Sequence, residues 1–405
     1  MDLQKTLKTA ISYHNANSLS EAENLYREIL KFSPRNPMAS VLLAKICLRE
    51  ERVSGIGELL LDVISENPEY MQAYNVAGDY HLQMGDEKKA NLAYRKSLLL
   101  QPDQSAPFVS IANMMQQVSS KSDKDEYAIL FKYRQALISK PSSTAAINNV
   151  AAMQLKMLNP KGALDTLAAS EEITFNNVRS IAYKTIALLG VNRISEANKL
   201  IGLGTLIRAQ YIDIHEMNYN IVTFNNELRS ALLKHPNFTS DWNPQNRAIR
   251  GGAIVPRLFD HQVPILELFK AALVTSINKY ISSLPEDPDH PYLRLKPKAY
   301  SLDIWANFLG PADHQSGHIH NQGWMSGVYY VTMPPKNKAQ ESFEGWIEFN
   351  RPGYGLPALG DKKKYIRSIE PHPGMIIMFP SYVWHGTVPF STRGDRVSIA
   401  FDVHL

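Results

Sequence analysis

A proline returns every 34 residues in the first part of this chain, at Pro34, Pro68 and Pro102. Other positions keep the same step: Ala22, Ile56 and Ala90; Tyr26, Leu60 and Tyr94; Ala44 and Gly78. Each unit thus carries a mostly small residue, a large one four positions later on the same helical face, and a proline eight positions after that. The small residue lets two antiparallel helices approach closely, and the proline stops the second of them. A unit of this kind cannot bury its apolar face alone, so successive units must stack into a solenoid.

The pattern resembles the tetratricopeptide repeat, as the pair Ala22-Glu23-Asn24-Leu25-Tyr26-Arg27 and Ala90-Asn91-Leu92-Ala93-Tyr94-Arg95 illustrates. The register slips once. Pro141 comes 39 residues after Pro102, so five extra residues fall around Ser119-Ser120-Lys121-Ser122-Asp123-Lys124, where a longer inter-helix loop is expected. The period resumes with Ala163 and Ala197. About five helical pairs are expected over residues 1–205. The resemblance implies a concave face for an extended peptide or protein, with assembly or spacing as the plainer use.

Composition changes near residue 205. All five tryptophans, 17 of 24 prolines and ten of twelve histidines follow it, so a second domain of different architecture is expected over residues 206–405. Residues 237–252, with Asn243-Pro244 and Gly251-Gly252, read as loop. Val263, Leu266, Phe269, Leu273, Ile277 and Ile281 predict a helix from His261 to Leu284, stopped by Pro285. Short runs rich in strand formers then alternate with turn residues: Leu302 to Phe308, Met325 to Thr332, Gly345 to Phe349, Met375 to Phe379 and Arg396 to His404. The expected fold is α + β in two domains, an all-α repeat solenoid followed by a jelly-roll barrel with its strand core at about residues 300–405.

The strands carry the chemistry. In extended backbone His318 and His320 share a face, with Ile319 opposite, and two imidazoles on one side can reach one metal ion. A third histidine, His385, follows a strand-like run. A lone histidine is more often structural, but a His-x-His pair with a distant third reverses that balance. Imidazole suits iron, zinc, copper and nickel alike, so the ligand type does not name the metal. In the last strand, period two puts Arg396 and Ser398 side by side on a face continued by Ala400 and Asp402. A guanidinium with a neighbouring hydroxyl is suited to a carboxylate.

These segments resemble the 2-oxoglutarate/Fe(II)-dependent oxygenases, in particular a bacterial and phage group. The resemblance rests on Gly317-His318-Ile319-His320, Ser326-Gly327-Val328-Tyr329-Tyr330-Val331 and Phe379-Pro380-Ser381-Tyr382-Val383-Trp384-His385-Gly386-Thr387. It implies a double-stranded β-helix and the oxidative decarboxylation of 2-oxoglutarate by O2, coupled to hydroxylation of a C–H bond. It implies Fe(II) held by His318, His320 and His385. Arg396 and Ser398 would hold the cosubstrate, with Tyr329 beside them, one of the pair Tyr329 and Tyr330 being expected to face inward. His318, His385 and Arg396 are the expected catalytic set.

The chain departs from the superfamily's usual His-x-Asp or His-x-Glu pattern at His320. That residue either completes a three-histidine site, turns away to leave two histidines and water as in aspartyl/asparaginyl β-hydroxylase, or is itself the first ligand in a shifted register. A halogenase would need a small residue there. His314 and His372 are expected at the surface.

The repeats imply a peptide or protein substrate. The alternatives are a small-molecule substrate with the repeats serving assembly, a three-histidine dioxygenase needing no keto acid, and a non-enzymatic scaffold with a vestigial barrel. A net charge of +4 with one short basic run, Lys362-Lys363-Lys364, gives no reason to expect nucleic acid. No run reaches the roughly 18 apolar residues that span a bilayer. One cysteine, Cys47, cannot form an internal disulfide, and the first residues lack a signal-peptide pattern. A cytoplasmic location is the expectation.

Overall fold

The computed structural model describes all residues except Met1 and residues 119–121, 215–218, 241–247 and 336–342, and omits the side chains of 362 and 363. Trp242, Asn243-Pro244 and Ser119-Ser120-Lys121 therefore lie outside the described residues. The chain forms two compact units, Met1–Met153 and Gln154–Leu405.

The first unit consists of antiparallel helix pairs. Leu19–Phe32, Ile56–Glu66, Glu87–Leu100 and Asp123–Ser139 each end two residues before Pro34, Pro68, Pro102 or Pro141. The residue preceding each proline has left the helical region, at φ −137°, −129°, −143° and −147° with positive ψ, because the proline ring disfavours helical backbone there. Ala22, Ala44 and Ala90 are fully buried, as are Tyr26 and Tyr94 to within 1%. The need for a small residue is concrete at Gly78, where a Cβ would stand 2.4 Å from the Tyr94 ring.

The five-residue slip does not lie chiefly in a loop. Relative to Met71–Gln83 and Glu87–Leu100, the pair Ser105–Val118 and Asp123–Ser139 gains one residue in its first helix and three in its second. The cause is local. Ser122 caps the second helix by accepting from the Asp125 amide, and Asp123, Asp125 and Glu126 fill its first turn, where carboxylates stabilise the positive end of the helix.

The second unit joins helices to strands. The strands are β1 (Arg208–Tyr211), β2 (Ile249–Arg250), β3 (Ala253–Val255), β4 (Ser301–Leu309), β5 (His314–Gln315), β6 (Met325–Thr332), β7 (Ile347–Phe349), β8 (Arg367–Ile369), β9 (Met375–Pro380), β10 (His385–Thr387) and β11 (Arg396–His404). One antiparallel sheet has the order β1-β9-β6-β11-β4-β3 and a second the order β10-β7-β8, with β2 and β5 paired separately. Phe349 of the small sheet meets Phe379 of the large one at 5.0 Å between ring centroids. This is the jelly-roll arrangement expected for residues 300–405.

The expected helix forms as Pro264–Ser283, with Pro264 at its first turn, and buttresses the outer face of the large sheet through Phe269. The lysine run opens a single helical turn, Lys362–Tyr365, rather than a loop. Helices Val178–Gly190 and Ile194–Ile201, which the sequence groups with the repeats, pack inside the same unit as the strands. Trp384 Nε1 donates to the Ala182 carbonyl at 3.3 Å, the Tyr382 hydroxyl to the Leu200 carbonyl at 2.6 Å, and Trp384 stacks on Tyr183. Among the described residues no helix is long and apolar enough to cross a membrane.

Candidate metal centre and its surroundings

The segment between β5 and β6 runs extended beside β10, and His318 and His385 pair across it through both backbone amides, at 2.9 and 3.1 Å. Residues paired in this way project to the same side. His320, two residues on, follows His318, while Ile319 turns into the core. The three ring nitrogens available as ligands all lie within 4.8 Å of one another. His320 therefore joins the other two and does not turn away.

The hydrogen bonds fix which nitrogen each ring presents. His318 Nδ1 lies 2.8 Å from the Ser316 carbonyl and His385 Nδ1 3.0 Å from the Val383 carbonyl. A carbonyl oxygen only accepts, so each Nδ1 carries the proton and each Nε2 keeps its lone pair. His320 Nδ1 donates to Asp402 Oδ1 at 2.6 Å. His318 Nε2 and His320 Nε2 then face each other at 3.1 Å. Two ring nitrogens at that distance suit a cation between them, and a third imidazole aimed at the same place completes a donor set that could hold a metal ion. The residues present fit a metal.

Electrostatics agree. Burial, reinforced by His320, lowers the His318 pKa to about 3, and burial with the neighbouring imidazoles holds His385 well below the ordinary value of 6.5. Both rings stay neutral at neutral pH, the form that coordinates a metal. In the metal-free protein the unfolded chain takes up these protons first. Stability should therefore fall as pH drops from about 6.5 toward 3, by a few kcal/mol. Urea midpoints measured between pH 7 and 4.5 should decline less in a His318→Gln variant, which lacks one of the titrating rings.

Asp402, which sequence reasoning did not single out, adjoins the triad. It is buried, and its Oδ1 also accepts from the Ser326 hydroxyl at 2.6 Å, which in turn bonds Ser381 at 2.8 Å. Burial alone would raise its pKa, but attraction to His320 and the hydrogen bonds from His320 and Ser326 together hold it below the ordinary carboxylate value. Its place on the Arg396–Ser398 face was the available signal. Two aromatic rings close the centre, Trp305 against His320 at 5.7 Å and Phe379 against His385 at 4.5 Å.

Farther along the inner face of β11 lies Arg396, 1% exposed. Its Nε donates to the Gly345 carbonyl at 3.2 Å, Nη1 to Ser398 Oγ and Nη2 to the Tyr330 hydroxyl, both at 3.4 Å. The guanidinium also lies 5.0 Å from the centre of the Tyr330 ring. No carboxylate pairs with it among the described residues, and burial pushes its pKa down. A buried guanidinium met only by neutral groups is costly and has capacity left for an anion. Asn307 and Tyr330 stand opposite Ser398 in the neighbouring strands and share its face.

Tyr329 is not part of this group. Its hydroxyl donates to Asn225 Oδ1 at 2.6 Å and its ring packs on Phe269 at 5.0 Å, on the helix-covered side of β6. Strand alternation gives the inward place to Tyr330, whose pKa burial pushes up to about 12. His314 and His372 remain partly exposed and outside the triad.

Residues 303–402, about a quarter of the chain and the span holding the triad, Arg396 and Asp402, match a family model described as "Putative 2OG-Fe(II) oxygenase". No curated protein sequence matches the chain. Among solved structures, a Pseudomonas putida prolyl-4-hydroxylase is 16% identical and aligns over 50% of this chain and 94% of its own, at TM-score 0.34. A thermophilic TPR protein from Thermus thermophilus is 16% identical over 48% of this chain and 98% of its own, at TM-score 0.37. PilF of Pseudomonas aeruginosa is 14% identical over 50% and 89%, at TM-score 0.43.

Proposed function

We propose that this chain, whose residues 303–402 match the 2OG-Fe(II) oxygenases, is an Fe(II)- and 2-oxoglutarate-dependent dioxygenase that hydroxylates a side chain of a peptide or protein presented by its helical repeats. The observation that carries the reading is the pairing of two features. Three imidazoles converge, those of His318 and His385 neutral, and a buried arginine with no acidic partner among the described residues stands on the β11 face that also carries Asp402, the partner of His320.

In this reading His318, His320 and His385 hold the metal, which supplies the redox chemistry joining O2 to 2-oxoglutarate. Arg396 receives the distal carboxylate of the cosubstrate by charge-assisted hydrogen bonds, with Ser398 and Tyr330 as hydroxyl partners. Trp305 and Phe379 shield the imidazoles from water. One oxygen atom of O2 enters succinate as CO2 leaves, and the other enters the C–H bond of the substrate as its hydroxyl. The family match favours Fe(II) over the other metals that imidazole accepts. Release of succinate that depends on Fe(II) and is stimulated by a peptide pool, with mass spectrometry locating a +16 Da product, tests the assignment.

Truncation separates a peptide substrate from a small one. A chain beginning at Pro141, ahead of helix Thr144–Lys156, should keep metal binding and substrate-free 2-oxoglutarate turnover within about threefold. It should lose hydroxylation of a protein substrate; unchanged turnover of the native substrate would count for a small molecule. A chain beginning at 206 is a poor test. It strips Trp384 and Tyr382 of their partners Ala182, Tyr183 and Leu200, a loss of several kcal/mol expected to show as aggregation or a collapsed Tm.

A further inference from the structure

We infer that Asp402 is a positioning residue for the third histidine, and that its carboxylate places the negative charge of the centre one hydrogen bond behind His320 rather than on the metal itself. The inference rests on the metal-binding reading above. It starts from the surroundings of a buried carboxylate. Asp402 is 9% exposed, and no lysine or arginine pairs with it among the described residues. A buried carboxylate without a cation is strongly unfavourable. Its partners are His320 Nδ1 and the Ser326 hydroxyl, each at 2.6 Å on the same oxygen, with Ser381 extending the chain from Ser326 at 2.8 Å.

The backbone is shaped around this network. The turn after His320 closes through the Gly323 amide onto the His320 carbonyl at 3.3 Å. A Cβ on Gly323 would stand 2.6 Å from Ser381 Oγ and 3.4 Å from the Asp402 carboxyl carbon, so the turn rests directly on the serine and the carboxylate. The His320 amide also donates to the Ser381 carbonyl at 3.0 Å. His320 is thus fixed at both its backbone and its ring.

The consequence is specific. His318 and His385 each donate Nδ1–H to a neutral backbone carbonyl, whereas His320 donates to an anion. Its Nε2 is therefore the most electron-rich of the three, and a cation held there completes the charge balance that Asp402 lacks. Removing the charge while keeping the shape should weaken the metal, not the fold.

The test is a titration of the metal-free full-length chain with Co(II), following the visible absorption of the bound ion. The wild type should bind one Co(II) per chain and His318→Ala none. Asp402→Asn should bind with the same stoichiometry but 10–100-fold more weakly, with a shifted spectrum and unchanged circular dichroism. Ser326→Ala should fall between the two, and it carries the test should Asp402→Asn not fold. Binding by Asp402→Asn within twofold of wild type, while His318→Ala has lost it, would overturn the role of Asp402 and leave the metal site standing. A wild type that takes up no Co(II) would remove both.

Discussion

Replacing His318 or His385 with alanine is expected to cost more metal affinity than the 10–100-fold that a supporting residue costs, and to abolish turnover. Each ring spends its Nδ1–H on a backbone carbonyl, of Ser316 or Val383, and has only Nε2 to give. The two residues are directly paired by backbone hydrogen bonds, so neither ring can be replaced by a shift of its neighbour. The variants also leave a cavity and an unmet carbonyl, for roughly 1–3 kcal/mol of instability. Part of this returns because two depressed imidazoles no longer crowd one another. Calorimetry of metal binding alongside a urea melt separates the two effects: binding should vanish while the midpoint moves modestly. Retention of one tight metal ion in both variants would mean that the ion sits elsewhere.

Arg396→Met should behave in the opposite way. Methionine keeps much of the side-chain volume and removes the charge. Arg396 donates to Gly345, Ser398 and Tyr330 and touches none of the histidines, so metal affinity should stay within about threefold of wild type. The half-saturating 2-oxoglutarate concentration should rise by roughly a hundredfold or more, the scale of breaking a buried charge pair at 3–5 kcal/mol. Without cosubstrate the variant should be as stable as wild type or more so, because an uncompensated buried cation has been removed. That combination distinguishes a binding arginine from a structural one, whose loss would lower stability and leave the cosubstrate requirement unmoved. Arg396→Lys should recover little, since an ammonium cannot reproduce the planar fork that meets Ser398 and Tyr330 together. Steady-state kinetics against 2-oxoglutarate, with urea melts of the same preparations, reads both halves.

The helical repeats were legible because their constraint is local: a small residue must stand where a ring packs, and Gly78 against Tyr94 shows why. The extra residues near Ser122 were harder to place. Ser and Asp serve loops and helix starts equally well, and here Ser122 began a longer helix. In the second unit, alternation exposed the shared face of Arg396 and Ser398, yet the same reasoning failed at Tyr329 and Tyr330. β6 is buried on both sides from Met325 to Val331, so polarity does not alternate along it and the inward tyrosine has no sequence mark. Asp402 presents the converse difficulty. A buried carboxylate and a solvated one look alike in sequence, and only the 2.6 Å contact with His320 tells them apart. β1 and β10, four and three residues long, are too short to show periodicity. The packing of Val178–Ile201 with the strands depends on contacts such as Trp384 with Ala182, 202 residues apart, which no window along the sequence contains.

The dioxygenase assignment is tested most directly by the fate of 2-oxoglutarate in the presence of the purified chain. Anaerobically reconstituted with Fe(II), supplied with ascorbate to reduce the second oxygen atom where no substrate takes it, and then exposed to O2, the wild type should convert 2-oxoglutarate to equal amounts of succinate and CO2, and His385→Ala should convert none. Wild-type protein that binds Fe(II) through these histidines yet leaves 2-oxoglutarate intact, with and without peptide, would contradict it.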